Sequence, residues 1–264
     1  MRRFKQVDVF TARPFFGNPV AVLIDAEGLD TAAMQRIACW TNLSETAFLL
    51  RSDVADYRLR IFTPRRELPF AGHPTIGSAH AAIESGFVSP KNGKLRQECR
   101  AGVLDLSVEG ERIYVKGPQP NIRPVDKPIF GAQALRIDVG PVWLIAEVSD
   151  VATLKPDMAA IAALSESLEA TGITVFSPSP DAESAIHVRS FAPLQGVPED
   201  PVCGSGNICV AAYLQHHKRY THPYVARQGT QMGRDGRVSV RISEAGIEIG
   251  GEAVTCVEGT LRDS

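Results

Sequence analysis

The sequence predicts an α+β fold made of two similar lobes, and three observations carry that expectation. The first is an internal repeat: Ile186 to Pro193 (IHVRSFAP) lines up with Tyr57 to Pro64 (YRLRIFTP), so Arg189 falls on Arg60, Phe191 on Phe62 and Pro193 on Pro64. After a loop three residues longer, Cys203-Gly204-Ser205 falls on Ala71-Gly72-His73, and an apolar helix follows in each half. Upstream, Gly140-Pro141-Val142-Trp143-Leu144-Ile145 echoes Gly17-Asn18-Pro19-Val20-Ala21-Val22. The second observation is order: both halves read strand, helix, strand, strand with an Arg and a Pro, loop, Gly-started helix. Such a repeat outranks local motifs as a guide to architecture. The third is size: 264 residues of ordinary globular composition make one large or two medium domains.

In chain order, a strand is expected near Phe4 to Phe10, a turn at Arg13 to Pro19, and a strand at Val20 to Ile24. Asp30 suits the N-cap of a helix from Thr31 to Trp40, whose Met34, Ile37 and Ala38 form an apolar face. Residues 46 to 50 read as a buried strand with Glu45 at its mouth. Tyr57, Leu59 and Ile61 alternate with Arg58, Arg60 and Phe62, the period of a half-buried strand. Pro64 ends it, Gly72 permits close backbone approach, and Pro74 suits the first turn of a helix running to about Gly86. Residues 93 to 116 read as three short strands turning at Gly102 and Gly110. Residues 118 to 131, with most of the local prolines, are the linker expected between lobes at 1–117 and 132–251, with a strand near 252–264 returning to the first. The second half then supplies strands at Ala134 to Val139 and Val142 to Val148, a helix at Asp157 to Leu168, strands at Ile173 to Phe176 and Ser184 to Phe191, a helix to about His217, and three or four closing strands.

Composition excludes several classes. A net charge of −2 with no basic patch argues against nucleic acid as a partner. No apolar run is long enough to span a membrane, and Lys5 and Asp8 break any signal-peptide core. Five scattered cysteines read as reduced thiols of a cytoplasmic protein. Gly204-Ser205-Gly206 lacks the third glycine of a dinucleotide fingerprint. His216, His217 and His222 lack the partners a metal site requires and read as cations near a helix end. Three residues remain for chemistry. Glu45 is a lone carboxylate before an apolar strand, or a solvated strand end. His73 is an imidazole at a helix start, or a cap. Asp200 precedes Pro201 and a Gly-rich helix start, or caps it. Together, with two helix N-termini expected to face one cleft, they compose an acid–base site for a small anionic substrate.

At this point the motifs are specific. VDVFT-x-x-PF-x-GNPVAV at Val7 to Val22, NLSETAFL at Asn42 to Leu49, RIFTP-x-x-ELPFAGHPTIG at Arg60 to Gly77, EDPVCGSGN at Glu199 to Asn207 and QG-x-x-MGR at Gln228 to Arg234 resemble the PhzF-like family, named for an isomerase of phenazine biosynthesis, over essentially the whole chain. The resemblance implies the diaminopimelate-epimerase fold, with each lobe a bent, mostly antiparallel sheet or barrel around a central helix. It implies a homodimer and a cofactor-independent isomerase that moves a proton at carbon. Glu45 would be the acid/base, with His73 and Asp200 beside it and Gly72, Cys203, Gly204, Ser205 and Gly206 around the substrate; no cofactor and no metal are expected.

The chain departs from the family's usual pattern at Cys203 and at Ser205-Gly206, where Thr and Ser-Ala are common. Cys-Gly-Ser-Gly is nearer the second cysteine motif of epimerases and racemases on this fold, which use two thiols. The repeat sets Ala71 against Cys203, which excludes a two-thiol mechanism. A racemase or epimerase using Glu45 and Cys203 stays open, as does a non-catalytic small-molecule-binding protein. Cys203 itself reads either as a small residue packed at a helix start or as a thiol whose pKa the helix N-terminus lowers.

Overall fold

The computed structural model describes residues 1–219 and 222–262, and the chain divides into two compact units, Met1–Lys116 with Gly250–Ser264, and Gly117–Ile249. The last two positions of the expected returning strand lie outside the described residues.

The first unit contains β1 (Arg2–Val9), β2 (Asn18–Leu23), α1 (Thr31–Thr41), β3 (Thr46–Leu50), β4 (Tyr57–Phe62), β5 (Glu67–Leu68), α2 (Gly72–Glu84), β6 (Lys94–Cys99), β7 (Gly102–Glu109) and β8 (Arg112–Lys116). β1 pairs antiparallel with β2, and α1 is the crossover that lets β3 run parallel to β2. β3 and β5 pair antiparallel with β4, β6 runs parallel to β4, and β7 returns antiparallel to β6. Asp30 caps α1, its carboxylate accepting from the Ala33 N–H. Met34 and Ala38 pack with Leu23, Phe48 and Phe62, and the two phenyl rings meet edge-on at 5.4 Å. α2 is apolar nearly all round because the sheet wraps it, with Gly72 to Ala79 all buried. A side chain at Gly77 would sit 2.5 Å from a Val20 methyl, so the glycine sets how closely α2 approaches β2.

The second unit contains β9 (Asn121–Ile129), β10 (Ala132–Asp138), β11 (Val142–Glu147), α3 (Met158–Ser167), β12 (Gly172–Pro178), β13 (Ile186–Ala192), β14 (Val197–Asp200), α4 (Gly204–His216), β15 (Tyr224–Gln228), β16 (Gly236–Ser243) and most of β17 (Gly246–Gly251). Its pairings repeat those of the first unit strand for strand. β10–β11 is antiparallel, β11–β12 parallel, β12–β13 and β13–β14 antiparallel, β13–β15 parallel and β15–β16 antiparallel. α3, capped by Asp157, occupies the place of α1, and buried α4 the place of α2. Val125, Leu144, Ile161, Ile173 and Phe191 form part of its core. Finally β18 (Ala253–Leu261) returns to the first unit and pairs antiparallel with β1.

One expectation is corrected. Most of the stretch read as a linker, 118–131, is strand β9, paired antiparallel with β10. Its prolines signal a break from sequence alone. Pro128 falls in the stretch of β9 skipped where the register slips between Ala132 and Ala134, whereas Pro124 pairs with Leu135 inside the ladder. Two short strands, β5 and β14, lie where only loops were expected.

Candidate active site

Glu45 stands immediately before β3, where its carbonyl accepts from the Ala21 N–H at 3.4 Å and ties it to β2. His73 is the second residue of α2. Ala71, in extended conformation, precedes the helix and offers no side-chain cap, so the first-turn N–H groups receive none from it. The structure brings the two functional groups together: Glu45 Oε2 lies 3.3 Å from His73 Nε2, with the side chains 16% and 7% exposed. The distance suits an ion pair, but the pair is not aligned as a hydrogen bond. Burial pushes the Glu45 carboxyl up from its ordinary 4.5 to about 7, against a lesser, opposing hydrogen bond with Ser44. A carboxyl there holds its proton about half the time near neutral pH. Gly72, expected in the loop, is the first residue of α2.

The remaining candidates gather at the start of α4 in the second unit. Asp200 ends β14 and its Oδ1 accepts from the Val202 N–H at 3.1 Å; it is not the helix cap. That place belongs to Cys203, whose Sγ accepts from the Gly206 N–H at 3.3 Å. The expected low thiol pKa is corrected. Cys203 is 3% exposed, and burial pushes its thiol well above the usual range, aided by the nearby Asp200 carboxylate and outweighing the bonds from Ser205 and Gly206. Ser205 Oγ accepts from the Trp143 indole N–H at 2.9 Å. Gly206 is required by close packing, since a Cβ there would lie 2.8 Å from both the Ser190 and Thr174 hydroxyls. His216 closes α4 and His217 caps it; among the described residues no group of three or more metal-binding side chains converges.

Sequence reasoning missed the residues that clamp the 200–203 loop. Asn207 Nδ2 donates to the Cys203 carbonyl at 2.8 Å and to Gln228 Oε1 at 2.9 Å, while Gln228 Nε2 donates to the Asp200 carbonyl at 3.0 Å. Both residues fall inside recognised motifs, which was the available signal. Two arginines, Arg189 buried and Arg60 half-buried, pin the approaches to the helices. Arg60 grips Glu67 with two bonds of 2.8 Å, and Arg189 grips Glu199 at 2.8 and 2.9 Å. They lie over Phe62 and Phe191, the pairs the repeat aligned.

A family model described as phenazine biosynthesis-like protein, PhzC-PhzF, matches residues 7–135 and 137–259. The chain belongs to this family. Among relatives of PhzF-family proteins, "Antisense-enhancing sequence 1" of Schizosaccharomyces pombe is 40% identical, with 97% of each chain covered. The trans-2,3-dihydro-3-hydroxyanthranilate isomerase of Pseudomonas aeruginosa is 31% identical over 98% of this chain and 99% of that one. A Bacillus anthracis phenazine biosynthesis protein of the PhzF family superposes with a TM-score of 0.88 at 28% identity, with 98% of each chain covered. A proline racemase fold from Agrobacterium radiobacter, at 16% identity and TM-score 0.70, shares the architecture alone. This chain is thus a PhzF-family isomerase with the fold shared by those epimerases and racemases.

Proposed function

We propose that this PhzF-family isomerase moves a proton between carbon atoms of a small carboxylate-bearing substrate, with Glu45 as general acid and base and without a cofactor. The supporting observation is the Glu45 carboxyl, raised to about 7 and set 3.3 Å from His73 at the start of α2. A group whose pKa matches the working pH can both remove a proton and return it. Charge developing on the substrate would be met by His73 and by the first-turn N–H groups of α2. Asp200 keeps the catalytic role, and Gly72, Cys203, Gly204, Ser205 and Gly206 the binding roles, that the resemblance implies. The Pseudomonas relative's name supplies the first compound to try, trans-2,3-dihydro-3-hydroxyanthranilate, a small ring bearing a carboxylate. Burial that holds the Cys203 thiol protonated makes it a poor base, which counts against a racemase that needs it to remove a proton.

The test is turnover of that compound in D2O by the wild type, Glu45→Gln and Cys203→Ser. Glu45→Gln keeps shape but cannot accept the proton, and should lower the rate by about 100- to 10,000-fold with binding within a few-fold. Cys203→Ser should cost far less. Equal damage from both changes in folded protein would replace this reading with a two-base epimerase.

A further inference from the structure

Ser205 is the second residue of α4, and its hydroxyl has one proton and two lone pairs, free in principle to turn either way. The structure removes part of that freedom. Trp143, on β11, is 3% exposed and directs its indole N–H at Ser205 Oγ from 2.9 Å. An indole N–H only donates, so the serine oxygen must accept there and its proton must point elsewhere. Elsewhere means Cys203 Sγ, 3.6 Å away and already accepting from the Gly206 N–H, or a bound ligand. A thiol sulfur is a weak acceptor, and a substrate oxygen would outcompete it.

The first unit manages without such a group. The counterpart of Trp143 in the repeat is Val20, which has no polar atom and packs against α2 without one. Room for the larger ring comes from Gly172, the residue paired with Trp143 across β11 and β12, where a Cβ would lie 2.9 Å from the ring. The second unit therefore places a large donor-bearing side chain where the first unit manages with a small apolar one.

From this we infer that Trp143 is a positioning residue: its indole N–H fixes the Ser205 hydroxyl as a donor toward an acceptor oxygen of the substrate. The inference rests on the reading that Ser205 meets the substrate. It predicts that Ser205 serves groups such as a carboxylate and does not act as a base.

The chain has two tryptophans, exposed Trp40 and buried Trp143, so protein labelled with nitrogen-15 tryptophan gives one indole resonance for each. Ser205→Ala should move the Trp143 resonance and speed its solvent exchange several-fold while leaving Trp40 unchanged. Trp143→Phe keeps an aromatic ring and removes the donor. It should lower kcat/KM for trans-2,3-dihydro-3-hydroxyanthranilate by about three- to ten-fold, the worth of one such bond. In the double variant the loss should equal that of Ser205→Ala alone, because Trp143 acts through Ser205. Losses that multiply would make Trp143 a packing residue only and overturn the inference. A wild type inert toward the compound rejects that substrate, and the resonances then test the bond by themselves: a Trp143 resonance unmoved by Ser205→Ala overturns the inference, and a displaced one upholds the bond on which it stands.

Discussion

Replacing Glu45 with Gln should make the protein more stable, and only above the acidic range. The folded chain holds the Glu45 proton up to about pH 7, whereas an ordinary carboxyl of this type releases it near 4.5. Between those values the folded state binds more protons than the unfolded one, so stability falls as pH rises through the window. The gap, at about 1.4 kcal/mol for each pH unit, comes to about 3 kcal/mol once both states are ionised. Gln resembles the protonated carboxyl in shape and charge and is spared that cost. Urea denaturation of both proteins at pH 4.5, 6 and 8 measures the difference. The two should be nearly equally stable at pH 4.5, and Glu45→Gln should lead by up to about 3 kcal/mol at pH 8. A difference that stays constant with pH, or a lead for the glutamate at pH 8, would refute the claim that burial dominates this carboxyl. The second outcome would mean that its contact with His73 is a stabilising ion pair.

Other outcomes follow from the same structure. Cys203 in the native protein should react with iodoacetamide at pH 7.5 at least about tenfold more slowly than exposed Cys39, because it is buried and held as the thiol; faster labelling of Cys203 would restore the low-pKa expectation. Arg189→Ala strands Glu199 and removes donors to the Val151 and Leu154 carbonyls, so it should cost about 3–5 kcal/mol by denaturation. Arg60→Ala should cost less, since Arg60 is more exposed and Arg100 still reaches Glu67 at 3.2 Å. Gly172→Ala would press a methyl to 2.0 Å from the Phe191 carbonyl oxygen, and soluble expression or the thermal midpoint should fall sharply.

Much of the architecture was legible because it is written locally. The alternation in Tyr57 to Phe62, Asp30 before an apolar-faced helix, and Pro74 behind Gly72 each report their own backbone. The repeat was legible because the same strand and helix signals recur at matching offsets. β9 was missed because prolines announce a break wherever they stand, and only pairing with β10 shows Pro124 inside a ladder and Pro128 at its register slip. The sign of the Cys203 shift was misjudged for a related reason. Sequence displays the helix start that favours a thiolate, but it does not display the burial that opposes one more strongly. Glu45 and His73 were each visible, while their 3.3 Å contact depends on where β3 and α2 end up in the folded unit. Trp143 and Ser205 are 62 positions apart, and nothing in either local pattern links them.

The return of β18 to β1 has a consequence for how the protein comes to be made. Arg2 pairs with Leu261 and Phe4 with Gly259, so β1 lies between a neighbour made almost at once, β2, and one made some 250 residues later on the ribosome. The whole of the second unit, Gly117–Ile249, is translated in between and is contiguous. At about 5–20 residues per second, one edge of β1 stays open for roughly ten seconds or longer. During that time it presents unpaired backbone groups to any passing strand. The second unit can close while still tethered to the ribosome, whereas the unit that carries Glu45 and His73 is completed last. Maturation of the proposed acid–base pair is thereby tied to arrival of the chain's final strand.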